Sequence, residues 1–126
     1  MSSDYIPGSC NIGKAEVKRR QIVSVFGLIL MLISIVAITT SEQSRTARLS
    51  IFLPALIFSV GFIQSRSKFC LAYGLAGTFN FGKLGDISKV QSLEDKRADR
   101  KTASLIMFKS IALAAAITAV FYLLPL

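Results

Sequence analysis

Three apolar blocks, separated by polar and charged connections, dominate the chain. The first block, Ile22 to Thr40, contains no charged residue. Its roughly 19 residues match the length of α-helix that crosses about 30 Å of hydrocarbon. A cleaved signal peptide is disfavoured, because its apolar core would be shorter and an A-x-A cleavage site would follow. We therefore predict an uncleaved first membrane span at about residues 21–40.

The second block is shorter and carries a proline. Leu49 to Ile63 is apolar, and the polar ends of Arg48 and Gln64 can reach the interface, which predicts a span at about residues 48–64. Pro54 either kinks this helix or marks the start of its regular part. Because the connection to the first span is short, the two spans are predicted to form an antiparallel hairpin.

The third block, Ala103 to Leu126, predicts a span at about residues 104–124. Lys109 interrupts it early and is interpreted as an anchor at the helix end, with a buried functional cation as the alternative. Small residues allow close helix approach, and five of the alanines of this block are candidates for it: Ala112, Ala114, Ala115, Ala116 and Ala119.

Two further elements are predicted between the second and third spans. The glycine- and aromatic-rich stretch Phe69 to Phe81 is typical of a helix or tight turn at the membrane interface. A short basic helix follows, and either Ser88 with Gln91 or Ser92 with Asp95 has the spacing of its capping box. The predicted fold is an all-α membrane protein with three transmembrane helices. Residues 1–82 hold the tail, the hairpin and the interfacial motif, and residues 83–126 hold the basic helix and third span.

The charge distribution predicts the orientation. Lys and Arg number 15 against 7 Asp and Glu, and most of them precede the first span or lie between the second and third. The positive-inside rule then places the amino terminus in the cytoplasm and the carboxyl terminus outside. The cations predicted to set this topology and to contact anionic lipid headgroups are Lys14, Lys18, Arg19, Arg20, Arg66, Lys68, Lys96, Arg97, Arg100 and Lys101.

Two cysteines, Cys10 and Cys70, offer the clearest covalent chemistry, and both are predicted to lie on the cytoplasmic side. Lys14 is near the first, and Arg66 and Lys68 are near the second. Neighbouring cations favour the reactive thiolate form. Both residues are candidates for a thiol site in sulfur transfer or redox sensing. The favoured role of both cysteines is nevertheless that of small packing residues at the interface.

The sequence gives little support for metal binding, enzymatic catalysis or nucleic-acid binding. The chain has no histidine, and its two cysteines are too few and too far apart for a structural zinc site, so no metal and no cofactor are predicted. No phosphate loop, nucleophile elbow or carboxylate pair is present, which argues against an enzyme. The basic helix lacks the interleaved aromatic residues of single-strand binders, so no nucleic-acid partner is predicted.

Two short motifs resemble a known family. They are Asn11-Ile12-Gly13, with Glu16 and Arg19-Arg20, and the run Phe69 to Gly77, which reads FCLAYGLAG. Over about residues 10–82 the chain resembles the YgaP-like transmembrane domain, a small bacterial inner-membrane hairpin. The resemblance implies a dimeric hairpin, and some members of the family are fused to a rhodanese sulfurtransferase. Leu71 stands where the family usually has proline, and the basic helix and third span lie outside the resemblance.

Two functional hypotheses follow. The first is a non-enzymatic multi-pass inner-membrane module that forms a homodimer or docks into a larger membrane complex. The second is a membrane thiol protein that uses Cys70, with or without Cys10. Transport around Lys109 is weaker, because no other ionisable residue lies within a span.

Overall fold

Helices make up most of the protein in a computed structural model that describes residues 5–125. The α-helices are α1 (Lys14–Thr40), α2 (Phe52–Ser67), α3 (Leu71–Ala76) and α4 (Leu93–Leu123). A 3₁₀ helix, Arg45–Ile51, leads into α2. Two short strands, β1 (Thr78–Phe79) and β2 (Ser88–Lys89), form an antiparallel pair in which Thr78 lies opposite Lys89. The predicted helical fold is confirmed, with this small sheet as its one addition within the described residues.

Three helical units are long and apolar enough to cross a membrane: α1, the 3₁₀–α2 unit and α4. Their outward faces expose large apolar side chains that water would solvate poorly and that hydrocarbon solvates well. Prominent among these side chains are Ile22, Phe26, Ile33, Val36, Leu53, Phe108, Val120 and Leu123. The exposed apolar faces therefore support the assignment to a membrane.

Helices α1 and α2 pack closely where each carries a glycine. Gly27 of α1 lies against the backbone of Ile57 and Phe58, and Gly61 of α2 lies against Ser24 and Arg20 of α1. Such close approach of two backbones is possible only where at least one helix lacks a side chain. Next to this crossing, Met31 of α1, Ala55 of α2 and Ala114 of α4 form a small buried cluster.

Two boundaries that the sequence left open are resolved. Pro54 lies in the first turn of α2, where an α-helix does not need the missing N–H. Ser92, and not Ser88, caps α4, because its hydroxyl accepts a hydrogen bond from the Asp95 N–H. The basic segment and the third span form one helix, since no glycine or proline interrupts Leu93–Leu123. At 1.5 Å per residue α4 exceeds the hydrocarbon thickness, so its basic first turns extend beyond it.

Two arginines of the 3₁₀ helix bind the carboxyl end of α4. Arg48 is buried and donates to the carbonyl oxygens of Phe121 (3.0 Å) and Leu124 (2.6 Å). Arg45 donates to the carbonyl of Tyr122. The last carbonyls of a helix have no partner within it, and cations are favourable at its negative end. Arg48 thus joins two spans, in addition to any role at the interface.

Replacing Arg48 by leucine is expected to lower the free energy of unfolding by about 2 kcal/mol, because hydrogen bonds from a charged donor are lost. Unfolding in mixed micelles by titration with a denaturing detergent measures the change. Arg66→Leu is the matched control, since Arg66 is exposed and its guanidinium lies over the ring of Phe62. Equal stability of the Arg48 and Arg66 variants would contradict the assignment.

Candidate functional site

The segment before α1, residues 5–13, lies across the first turns of α4; we call it the N-terminal strap. Its anchor is Asp99, which is fully buried. The Asp99 carboxylate accepts hydrogen bonds from the Tyr5 hydroxyl (2.5 Å) and the Gly8 N–H (2.7 Å). The Thr102 hydroxyl donates to the carbonyl of Gly8 at 2.6 Å. The strap therefore ties the start of the chain to the third span.

Asn11, at the middle of the strap, holds the backbone of Cys70. Its side-chain oxygen accepts from the Cys70 N–H at 2.7 Å, and its amide nitrogen donates to the Cys70 carbonyl at 3.2 Å. Its own backbone pairs with Lys68 on one side and Asn80 on the other. Because Asn11 is fully buried, these bonds hold the Cys70 backbone against the strap.

Glu16 is the centre of a group of buried and half-buried side chains that we call the polar cluster. Its members are Glu16, Arg20, Cys70, Tyr73 and Asn80. The Glu16 carboxylate is fully buried and accepts hydrogen bonds from Arg20 (2.7 Å), Asn80 (3.0 Å) and the Tyr73 hydroxyl. These donors come from α1, from the residue after β1 and from α3. A buried carboxylate is tolerated when it is paired and hydrogen-bonded. Glu16 therefore holds the interfacial segment against the first span.

Arg20 joins this carboxylate to the Cys70 sulfur. One guanidinium nitrogen donates to Glu16 and another donates to Cys70 Sγ at 2.8 Å. The side chain is only 13% exposed, and its guanidinium lies 5.8 Å from the centre of the Tyr73 ring. Charge-assisted hydrogen bonds of this kind stabilise the anionic partner. The arrangement is that of a thiol with a fixed cation beside it.

Cys70 lines an open cleft of about 560 Å³, which we call the thiol cleft. Its polar lining comes from Arg19, Arg20, Tyr73 and Gln64, and the rest is apolar. The Gln64 side-chain oxygen is already occupied, because it accepts from the Leu71 N–H at 2.7 Å. Cys70 as a residue is 2% exposed, so its side chain is almost fully shielded from solvent.

Two tyrosines serve as permanent donors to the buried carboxylates. Burial, and then the hydrogen bond to Glu16, raise the pKa of Tyr73. Burial, and then the hydrogen bond to Asp99, raise the pKa of Tyr5. A tyrosine is already neutral at physiological pH at its ordinary pKa near 10. Both phenols therefore keep their protons, and both hydrogen bonds persist across the physiological range.

Cys10 lines a different cleft from the one that Cys70 lines. Its thiol donates to the Ile12 carbonyl at 3.7 Å, and both cysteines are free. It lines a second cleft of about 950 Å³, the lysine cleft, which Cys70 does not line. Four cations surround this cleft: Lys14, Lys18, Lys68 and Lys83. The structure thus places the two thiols in separate clefts.

The predicted cations therefore divide into groups. Arg20 points inward to Glu16 and Cys70, and Arg19 lines the thiol cleft. Lys14, Lys18 and Lys68 line the lysine cleft. Those on the first turns of α4, which are exposed except for the half-buried Lys96, are Lys96, Arg97, Arg100 and Lys101. Cys70 contacts Arg20, and not the Arg66 and Lys68 that stand near it in the sequence.

Within residues 5–125, no three Cys, Asp or Glu side chains converge in a way that could hold a metal ion. What the polar cluster can do chemically is present one thiol beside one cation. No protein-family model matches the chain, and neither a curated protein sequence nor a solved structure matches it.

Proposed function

We propose that the chain is a three-span protein of a bacterial cytoplasmic membrane, with its amino terminus in the cytoplasm and its carboxyl terminus outside. The charge distribution supports this orientation. The cations in the first turns of α1, between α2 and α4, and in the first turns of α4 belong to one end of the molecule, and positive charge favours the cytoplasmic side. The other end carries Arg45 and Arg48, which bind carbonyls of α4.

Reporter fusions test the orientation. A reporter that is active only after export is expected to work when fused after Ser44 or Leu126 and to stay inactive after Asp86. A reporter that is active only in the cytoplasm should give the opposite pattern. The inverse result at all three positions would overturn the proposed orientation.

Within that setting the cluster is best suited to a thiol function: Cys70 accepts a sulfur atom from a small persulfide or polysulfide donor. The contact of 2.8 Å between the Arg20 guanidinium and Cys70 Sγ carries this proposal. It also agrees with the resemblance of residues 10–82 to the YgaP-like domain, which stays a prediction.

The transfer is a displacement at sulfur. The Cys70 thiolate attacks the outer sulfur of the donor, and a new S–S bond forms on Cys70. The S–S bond of the donor breaks, and the donor thiolate leaves with the electron pair. The terminal sulfur keeps its proton, so atoms and charge balance. Arg20 stabilises the attacking thiolate and orients it, while Glu16 and Tyr73 hold Arg20 in place.

A disulfide switch fits the geometry less well. A redox sensor of that type needs a resolving thiol poised beside the reactive one. Cys10 donates to the Ile12 carbonyl and opens onto the lysine cleft, so its contacts do not direct it to Cys70. Sulfur transfer to Cys70 alone needs no second cysteine.

The test is the rate of polysulfide uptake by Cys70, followed by intact mass in a Cys10→Ser background. Arg20→Gln is expected to slow uptake about tenfold or more, because a hydrogen bond to a charged group contributes about 1.5–3 kcal/mol. Cys70→Ser should gain no mass. Bulky maleimides should label Cys70 slowly in the folded protein.

Arg97→Gln is the matched control, since Arg97 is exposed at the start of α4 and does not line the thiol cleft. Its uptake rate should equal that of the parent. Arg20→Lys keeps the charge and tests the role of the cation if Arg20→Gln fails to fold. Equal rates in the Arg97, Arg20 and parent proteins would overturn the thiol function.

Self-association is a second candidate, and the outward faces of α4 favour it. Ala112 and Ala116 are one helical turn apart and both exposed, whereas Ala114 lies in the buried cluster. Two copies of a helix with small residues at this spacing can approach closely. The homodimer or larger complex is therefore proposed through the face of Ala112 and Ala116.

Förster transfer between labelled copies in bilayers tests the association. Ala112→Leu with Ala116→Leu is expected to abolish the transfer. Leu105→Ala, on an exposed part of α4 nearer the cytoplasmic end, should leave it unchanged. Transfer that is absent in the parent protein, or unaffected by the alanine substitutions, would contradict self-association through this face.

A further inference from the structure

The lysine cleft brings four cations together from three separate parts of the chain. Lys14 and Lys18 stand one turn apart at the start of α1, Lys68 ends α2, and Lys83 belongs to the loop after β1. Residues four apart on a helix share a face, so the first two point to the same side. Like charges repel when they are brought together, and an anionic ligand would relieve this repulsion.

Negative charge does not balance these lysines within the cleft. No carboxylate lines it. Glu16, on the same helix, is turned away and bound by Arg20, Tyr73 and Asn80. The Asp86 carboxylate lies beside the cleft, next to Gly82. The lysines thus leave a local excess of positive charge.

The cleft is also partly apolar, which a site for a free anion would not need. Ile12, Val17 and Phe81 contribute to its lining. Lys18 and Gln21 are shared with a second, smaller groove that continues down α1 past Ile22 and Val25. Positions 18, 21, 22 and 25 follow one face of the helix, and the latter two belong to the charge-free block that faces lipid.

We infer that the lysine cleft is a binding site for one anionic phospholipid, with its phosphate among the four lysines and an acyl chain along Ile22 and Val25. Clusters of lysine beside the cytoplasmic end of a span attract anionic headgroups. The first turns of α4 attract them diffusely, whereas the cleft combines concave shape, charge and an adjoining apolar groove. This site is independent of the proposed thiol chemistry at Cys70.

The test compares lipid selectivity in bilayers of phosphatidylcholine that contain a trace of spin-labelled phosphatidylglycerol or spin-labelled phosphatidylcholine. At high salt, which screens the diffuse attraction, the wild-type protein is expected to immobilise the anionic label several-fold more than the zwitterionic one. The cleft variant, Lys14→Gln, Lys18→Gln, Lys68→Gln and Lys83→Gln, should lose this preference.

The control variant removes the same charge elsewhere: Lys89→Gln, Arg97→Gln, Arg100→Gln and Lys101→Gln. It should keep the preference. If the four-fold cleft variant fails to fold, Lys68→Gln with Lys83→Gln, both outside α1, replaces it and should reduce the preference. An unchanged preference in the cleft variants, or an equal loss in the control, would overturn the specific site.

A soluble anion is the other source of the same chemistry. Inorganic phosphate and pyrophosphate are therefore added to the bilayers at matched ionic strength with chloride as reference. The labelled lipid is expected to stay bound. Its displacement by either anion at concentrations that chloride does not match would assign the cleft to a free phosphate compound and overturn the lipid proposal.

Discussion

Gly27→Val is expected to separate α1 from α2 and to cost at least about 3 kcal/mol of stability, the upper part of the range for overpacked sites. A Cβ at Gly27 would lie 2.4 Å from the backbone nitrogen of Phe58 and 2.8 Å from its Cα. Backbone atoms of a helix cannot move aside as a side chain can. The helices must therefore move apart, and the buried cluster of Met31, Ala55 and Ala114 loses its packing.

Unfolding in mixed micelles measures this loss, with Gly82→Ala as the matched control. A Cβ at Gly82 would meet its nearest atom, of Asp86, at the ordinary distance of 3.6 Å. Gly61→Val should resemble Gly27→Val, since a Cβ there would lie 2.7 Å from the nitrogen of Ser24. Because both glycines serve one crossing, their costs should not add. A Gly27 variant as stable as the Gly82 variant would refute the close crossing.

Glu16→Gln is expected to lower stability by about 3 kcal/mol, because it leaves the largely buried guanidinium of Arg20 without its counter-charge. The segment from α3 to Asn80 should loosen as well, since Tyr73 and Asn80 donate to the same carboxylate. Faster hydrogen exchange in α3 would report this loosening separately from global unfolding.

Glu94→Gln, in the exposed first turn of α4, is the control and should change stability by less than about 0.5 kcal/mol. Adding Arg20→Gln to Glu16→Gln should recover part of the loss, since no buried charge is then left unpaired. A Glu16 variant that is as stable as the Glu94 variant, with unchanged hydrogen exchange in α3, would contradict the central role of Glu16 in the polar cluster.

The three spans could be predicted from the sequence because bilayer solvation acts on long runs of residues. The block Ile22 to Thr40 is apolar throughout, and no tertiary contact is needed to recognise it. The start of the second span was less certain, since its first turns are a 3₁₀ helix held by Arg48 contacts to α4. Such contacts between distant segments leave no local pattern.

The site was harder to predict for the same reason. Cys70 has Arg66 and Lys68 near it in sequence, yet its cation is Arg20, fifty residues away. The hairpin of α1 and α2 brings the start of one helix beside the end of the other. One local signal did exist: Glu16 and Arg20 have the i,i+4 spacing of an ion pair. The burial of this ion pair depends on Tyr73, which is distant in the sequence, so the local spacing does not reveal it.

Asp99 shows how composition can mislead. In the sequence it only dilutes a basic run, and its neighbours predict a solvated face. In the fold it is fully buried and accepts from Tyr5 and Gly8. The partners precede it by about ninety positions, so only the tertiary structure reveals them.

The strap has a consequence for biogenesis. Tyr5 and Gly8 are synthesised before both helices of the hairpin, but their partners Asp99 and Thr102 are synthesised only after them. The strap therefore has no docking partner while the hairpin inserts into the bilayer. It can dock only when the first turns of α4 have been made, so its docking follows the insertion of the hairpin.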